Sequence, residues 1–168
     1  NRTAALVTPD RGLARRVAAE LSRWDIAIDD SAGTPLARTP PGTILALLAR
    51  ACAEGLTPVA FLALLKHPLA AGGMERAVFR HRVREMELLA LRGLRPEPAL
   101  AGIAQIFRKK NASEERQSWF AALENILCPF FEICSAKDVS LRDIAAAHAG
   151  AAERLCANTE QAGEEILW

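Results

Sequence analysis

The sequence predicts a mainly α-helical chain with a small α/β piece at its N-terminus. From residue 41 onwards the apolar residues recur at helical spacing, whereas the only two β-like runs lie within the first 30 residues. Residues 31–42 read SAGTPLARTPPG, and their three prolines and two glycines disfavour both helix and sheet. We therefore predict two domains, residues 1–40 and a multi-helix domain of residues 41–168.

The N-terminal piece has the pattern of a strand, a helix and a second strand. Residues 4–7 are a short apolar run that ends at Thr8-Pro9-Asp10, and residues 24–28 (WDIAI) form the second run. Between them leucine and valine recur every four residues, which predicts a helix over residues 12–23. Such a βαβ unit has parallel strands and a right-handed crossover. Because two strands alone do not make a stable sheet, we expect the rest of the sheet to lie outside this sequence.

The remainder of the chain is predicted as a succession of helices. Thr39 is a suitable N-cap because Pro40-Pro41 is tolerated in a first helical turn, and Thr57-Pro58 is expected to cap the next helix. Ser140 is expected to cap the last one. Pro129 should kink or split the longest segment, because proline removes one backbone hydrogen bond and clashes with the preceding turn. The predicted helices cover residues 44–54, 58–65, 74–91, 99–107, 113–134 and 140–155.

Composition limits the class of protein but does not select a function. The chain has 168 residues, of which 51% are hydrophobic, and a net charge of +1. A strongly cationic nucleic-acid or membrane binder would have a larger excess of basic residues. No apolar run reaches the roughly 18 residues of a spanning helix, and no secretory signal is visible, so we expect a soluble, intracellular protein. Both ends look cut, so we expect a fragment of a larger protein.

The residue types that usually perform catalysis or bind metals form no recognisable motif. The sequence lacks G-x-x-x-x-G-K-[ST], G-x-G-x-x-G, H-E-x-x-H and G-x-S-x-G. Asp29-Asp30 is predicted to serve a turn or a helix cap, because adjacent strand residues point to opposite faces. The three histidines are scattered, and each is predicted to be either a solvent-facing or a packed structural residue. We therefore expect no catalytic residue, metal ion or cofactor in this chain.

The four cysteines also form no recognised site. None belongs to a C-x-x-C pair, and each has apolar neighbours. We predict that they pack as small hydrophobic residues. They are Cys52, Cys128, Cys134 and Cys156.

One basic pattern stands out on the third predicted helix of the multi-helix domain. Arg76, Arg80 and Arg84 are spaced four residues apart, which lines three guanidinium groups along one stripe that could follow a phosphate backbone. The alternative is a solvated helix face, partly paired with nearby glutamates. The basic run at residues 108–110 has a simpler explanation, because cations are favourable at a helix C-terminus.

Several segments resemble a known protein family. Residues 3–21 read TAALVTPDRGLARRVAAEL, residues 24–36 read WDIAIDDSAGTPL, and residues 39–42 read TPPG. They resemble the second RecA-like motor domain of superfamily 1 helicases, and FLALLKHPL at residues 61–69 resembles the start of its helical insertion. Together they are similar to the AddB family, the helicase-like, nuclease-bearing subunits of bacterial AddAB double-strand break repair complexes. The similarity covers residues 3–95 well and the rest loosely, and DDSAG followed by TPPG is its most specific part.

The resemblance implies a role in recombinational DNA repair without making this chain an enzyme. In that family the ATP-binding loop lies upstream and the nuclease motif far downstream, so ATP and Mg²⁺ would act outside this sequence. The implied partners are DNA and an AddA-like helicase–nuclease subunit, in the bacterial cytoplasm. Active relatives often have Arg or Asn at the strand end that touches single-stranded DNA, where this chain has Thr8 followed by Arg11. The candidate phosphate contacts are therefore Thr8, Arg11, Arg76, Arg80 and Arg84, and no base-reading constellation accompanies them.

A second interpretation belongs to another class. Apolar-rich helices, a net charge near zero and few aromatic residues also suit a helical protein–protein interaction module with no nucleic-acid role. A fragment cut from a larger protein would expose the surface that its parent covers, and would self-associate. An adjacent gene for a second helicase–nuclease subunit would favour the first interpretation.

Overall fold

The protein is described by a computed structural model that covers residues 4–93, 96–97 and 99–168. It is mainly helical and divides into two compact units, residues 1–34 and residues 35–168. This boundary lies ahead of residue 41 because a 3₁₀ turn, Leu36–Arg38, packs on the first helix of the second unit. Each unit is described by itself.

The first unit contains one helix, α1 (Arg11–Ser22). The Asp10 side chain caps it by accepting a hydrogen bond from the Gly12 N–H at 2.7 Å. The predicted helix is confirmed, but the predicted strands are not formed: within the described part of this unit, residues 4–7 and 24–28 have no strand pairing. Strand structure requires a hydrogen-bonded neighbour, and two short runs joined by a helix do not supply a stable one. No residue of α1 is buried.

The second unit is a bundle of seven α-helices among the residues described. One π-helical turn, Glu87–Leu91, extends the third of them. Every helix predicted from the apolar pattern is present, with ends shifted by a few residues. The helices are α2 (Pro40–Ala53), α3 (Pro58–Leu65), α4 (Arg76–Met86), α5 (Ala99–Lys109), α6 (Glu114–Ser135), α7 (Leu141–Cys156) and α8 (Gly163–Leu167).

Side-chain caps explain two of the helix starts in the second unit. The Thr39 hydroxyl accepts from the Gly42 N–H at 3.2 Å, and the Ser140 hydroxyl accepts from the Asp143 N–H at 3.1 Å, as expected for N-caps. Thr57 does not act in this way, because its hydroxyl donates to the Glu54 carboxylate at 3.1 Å. The prediction for α3 was therefore right about its position and wrong about its cap.

Pro129 lies inside α6, and the helix continues through it. Of the two predicted outcomes, the split does not occur, and the kink stays a prediction. Proline costs α6 one backbone hydrogen bond, and Pro129 itself is exposed, so water can reach the carbonyl that is left without a partner. On either side, buried Leu127 and Phe130 hold α6 against the rest of the bundle.

A single apolar core joins the helices of the second unit. α7 packs against α2, α6 and α8, while α3 contacts α2 and α4, and α5 contacts α6. Leu48, Phe61, Leu64 and Leu155 are completely buried, and no polar or charged residue is buried in the described part of the chain. Over that same part, no helix is both long and apolar enough to cross a membrane.

Candidate functional site

The arginine stripe of α4 does not stay on one face of the helix. A four-residue step turns a helix by a full turn plus about 40°, so three arginines spaced in this way drift across the surface. Phe79, Val83 and Met86 form the buried face of α4. Arg76 lies nearer that face and is partly buried, whereas Arg80 and Arg84 are exposed.

Arg76 is the partly buried arginine of the three. Its Nε atom is buried without a hydrogen-bond partner, and its positive charge partly offsets the effect of burial on the thiol of Cys156 at the end of α7. Burial is the larger effect and raises the pKa of Cys156 to about 12. The loop before α4 also caps this helix end, since the N–H groups of Ala71 and Gly72 donate to the Leu155 carbonyl at 2.9 and 2.8 Å. The positive charge of Arg76 therefore acts near the C-terminus of α7, where a cation is favourable.

Arg82, on the opposite edge of α4, joins a network of ion pairs with α6. It donates to the carboxylates of Glu85 and Glu115, and Arg116 donates to Glu85 at 2.7 Å. Hydrogen bonds from Arg116 and then Arg82 hold the pKa of Glu85 below its ordinary value, although partial burial opposes them. These charges attach α4 to α6, so they are not available to a ligand.

Within the described part of the chain, Arg80 and Arg84 differ from Lys66, Arg92 and Lys110 because their side chains have no hydrogen-bonded partner. Lys66 and Arg92 both pair with Glu87, and Lys110 donates to the Leu89 carbonyl at 2.7 Å. Among the described residues, Arg80 and Arg84 have no carboxylate partner. They are separated by about one helical turn, about 6 Å along the helix axis, so both guanidinium groups can contact phosphates of the same DNA strand. This pair is the part of the predicted stripe that the fold presents to solvent.

The two residues of the first unit that were predicted to contact phosphates, Thr8 and Arg11, form hydrogen bonds within that unit. Arg11 makes a bidentate ion pair with Asp30, at 3.0 and 2.7 Å, and this contact raises the pKa of Arg11 and lowers that of Asp30. Asp30 also accepts from the Ala32 N–H at 3.0 Å, which confirms its predicted role in a turn. The Thr8 hydroxyl accepts from the Asp10 N–H at 3.1 Å. Arg11 is therefore charge-neutralised and half-exposed, and Thr8 helps to shape the start of α1.

Two of the histidines have the structural roles predicted for them. The neutral ring of His67 accepts from the Leu69 N–H through Nδ1 at 3.2 Å, and its Nε2 lies 2.9 Å from the Thr43 hydroxyl. Partial burial lowers the pKa of His67. His148 Nε2 donates to the Leu45 carbonyl at 3.0 Å, and its ring packs on Phe130. No group of three or more potential metal ligands occurs within the described residues.

The cysteines differ more than their similar sequence surroundings suggest. Cys156 is buried, and Cys52 and Cys128 are half-buried, in agreement with packing as small apolar residues. Cys134 is exposed, which corrects that prediction for one of the four. The cause is its place in the last turn of α6, where the helix runs past the core.

Comparisons of the chain with protein families, curated proteins and solved structures find no match. The support for the basic pair on α4 therefore comes from its geometry.

Sequence spacing selected the correct helix for that pair. It could not show that Arg76 turns towards α7, or that Arg82 is paired, because both depend on neighbours distant in sequence.

Proposed function

We propose that this chain is part of an AddB-like subunit of a DNA double-strand break repair helicase–nuclease, in which it handles DNA and packs against other parts of the complex. The assignment to that family depends on the segments at residues 3–21, 24–36, 39–42 and 61–69, which resemble it. The predominantly helical second unit is compatible with an accessory insertion of a superfamily 1 motor domain.

The observation that supports a DNA contact is the exposed pair Arg80 and Arg84. Both lie on one helix, one turn apart, with no carboxylate partner in the described part of the chain. An arginine that has no carboxylate partner within the protein is available to pair with a phosphate. Two such arginines would release about two counterions from DNA when it binds. The proposed contact is independent of base sequence, because it involves the backbone alone.

The proposal also assigns a role to the first unit. As the edge of a RecA-like domain, residues 4–7 and 24–28 would pair with further strands of the parent sheet and become ordered strands there. Their exposed apolar side chains Leu6, Val7, Ile26 and Ile28 fit that role. ATP and Mg²⁺ would be bound elsewhere in the parent, whose partner would be an AddA-like subunit.

The test is fluorescence anisotropy of the whole chain with labelled single-stranded and duplex DNA over a series of salt concentrations. The double variant Arg80→Ala/Arg84→Ala removes the proposed contact. Lys137→Ala/Arg142→Ala is the matched control, since it removes two exposed positive charges, one from the α6–α7 connection and one from the first turn of α7, and produces the same net charge. Alanine is the best helix former, so the substitutions in α4 leave the fold intact, which circular dichroism would verify.

We expect the α4 variant to bind DNA more weakly. The slope of log affinity against log salt should become less steep by about 1.4–1.8, which is the contribution of two phosphate contacts. The control variant should keep the slope of the original chain. Equal losses in both variants would mean that net charge alone drives binding. Absence of binding at low salt would remove this helix from the DNA path.

A protein–protein interaction module is the second candidate, and exposed apolar side chains favour it. Val59, Leu88 and Leu141 are exposed by 76%, 52% and 80%, respectively. Light scattering coupled to size exclusion distinguishes the two candidates when it is combined with the DNA titration. Concentration-dependent association that polar substitutions of these three residues abolish, together with absence of DNA binding, would favour the interaction module.

A further inference from the structure

The face of α4 that presents the basic pair, Arg80 and Arg84, also presents an acidic residue, Glu87. The helix is regular up to this point, because the Glu87 N–H still bonds to the Val83 carbonyl. Seven residues turn an α-helix by nearly two complete turns, so Glu87 lies within about 20° of Arg80 around the helix axis and about 10 Å further along it. A carboxylate therefore stands at one end of the basic face.

Two cations from outside α4 hold the Glu87 carboxylate. Lys66, the residue that ends α3, donates from Nζ to Oε2 at 2.5 Å, and Arg92 donates from Nη2 to Oε1 at 3.0 Å. These hydrogen bonds, first from Lys66 and then from Arg92, lower the pKa of Glu87 and keep it ionised at neutral pH. The Glu87 side chain is only 12% exposed, whereas those of Lys66 and Arg92 are 50% and 67% exposed. The two cations thus cover the carboxylate while they remain open to solvent.

The π-helical turn Glu87–Leu91 explains how Arg92 reaches this carboxylate. In a regular α-helix, side chains five residues apart point about 140° away from each other. Here the turn closes with a bond from the Arg92 N–H to the Glu87 carbonyl at 3.0 Å, and the Arg92 side chain reaches the carboxylate of the same residue. Turns of this kind are rare and occur frequently at functional sites. This one places a further cation next to the basic face of α4.

We propose that Glu87 limits the affinity of this chain for DNA by neutralising Lys66 and Arg92, which without it extend the basic pair on α4 to a phosphate site of four cations. The inference rests on the DNA contact proposed above and names what regulates it. While Glu87 is ionised, the basic pair keeps its full charge, and the other two cations are held back. Because Lys66 and Arg92 are exposed already, loss of the carboxylate charge makes them available to phosphates without any movement of the backbone.

The test is a fluorescence anisotropy titration of the whole chain with labelled duplex DNA over a series of salt concentrations. Glu87→Gln removes the charge and keeps the size of the side chain. We expect tighter binding and a slope of log affinity against log salt that is steeper by about 1.8, the contribution of two further phosphate contacts. The addition of Lys66→Ala and Arg92→Ala to this variant should restore the original slope.

Glu54→Gln is the matched control. It raises the net charge by the same amount and releases one exposed cation, Arg50, from its ion pair. Glu54 accepts from the Thr57 hydroxyl at the start of α3, so it lies at the opposite end of that helix from Lys66. The slope for this variant should match that of the original chain.

The outcomes separate this inference from the function on which it rests. An unchanged slope for Glu87→Gln, in a chain that still binds DNA through Arg80 and Arg84, would overturn the role of Glu87 alone. It would show that the Glu87 ion pairs have a structural role only. Equal steepening in Glu54→Gln would also overturn it, because net charge would then be the cause. Absence of DNA binding by both the original chain and Glu87→Gln would overturn both proposals.

A second variant decides the outcome if Glu87→Gln does not fold. Lys66→Ala/Arg92→Ala, in the otherwise original chain, uncovers the Glu87 carboxylate beside the basic pair. It should bind DNA more weakly than Lys137→Ala/Arg142→Ala, which has the same net charge. Equal affinities of these two variants would contradict the proposed effect of Glu87.

Discussion

The contact between α7 and α8 depends on a glycine that no local backbone rule requires. Gly163 is the first residue of α8, is buried, and has an ordinary negative φ. A Cβ atom added there would lie 1.7 Å from the Glu153 carbonyl oxygen and 2.4 Å from its carbonyl carbon. Both are backbone atoms of α7 and cannot rotate away. Gly163→Ala therefore forces α8 to move off α7.

The free energy that Gly163→Ala costs cannot exceed the free energy of detaching α8 from α7, because detachment relieves the clash. Leu167 is only 5% exposed, and loss of its burial costs about 1.5–3 kcal/mol. The hydrogen bond from Trp168 Nε1 to the Glu153 carboxylate, 2.8 Å long, adds about 0.5–1 kcal/mol. Freed residues regain conformational entropy, which offsets part of the loss. We expect Gly163→Ala to lower the free energy of unfolding by about 2–3 kcal/mol.

Gly150 provides the matched control within α7. A Cβ there would meet only the guanidinium end of Arg154 at 3.4 Å, which can move. Gly150→Ala should therefore stabilise the protein by about 0.5–1 kcal/mol, as expected for the interior of a helix. Urea denaturation followed by circular dichroism measures both variants. If Gly163→Ala is neutral or stabilising, or if Leu167→Ala costs as much in its presence as in its absence, the argument that α8 is displaced is wrong.

Three further predictions concern the core, a histidine and the charge network. Leu64→Ala at a fully buried position should cost about 2–5 kcal/mol in urea denaturation, and a cost below 1 kcal/mol would mean that the core closes over the cavity. The lowered pKa of His67 means that its stabilisation is complete above the unfolded pKa of about 6.5 and is lost as the pH falls through the folded pKa. His67→Asn should therefore reduce the decline in stability between pH 7 and 5, and parallel curves would contradict this. Glu85→Gln should lower the free energy of unfolding by about 1 kcal/mol at low salt and by less at high salt, because salt screens the attraction between Glu85 and its two arginine partners. An effect that does not depend on salt would exclude an electrostatic origin.

Helix positions were predictable because their signals are local. Apolar spacing located the helices, and Thr39 and Ser140 capped them as expected, since a cap bonds to N–H groups two or three residues away. The failure at Thr57 also has a local cause, because Glu54 competes for its hydroxyl. At Pro129 the helix is not split, because buried residues hold α6 on both sides of the proline.

The candidate basic site could be predicted only in part. Sequence spacing identified the arginines of α4 but treated three of them as equivalent. The fold separates them, because the 40° drift turns Arg76 towards the end of α7 and leaves Arg80 and Arg84 exposed. In the first unit, Arg11 was predicted as a phosphate contact, and its ion pair with Asp30 was not foreseen.

The sequence by itself determined the helical class of this protein, the order of its helices and the caps at Thr39 and Ser140, because these depend on contacts within about four residues. It did not determine the two N-terminal strands, since a strand requires a partner that local sequence cannot supply. Only the tertiary structure decided which arginines are neutralised, which glycine must lack a side chain and which cysteine is exposed. Each of these depends on the packing of helices that are distant along the chain, and therefore on how the apolar core brings them together.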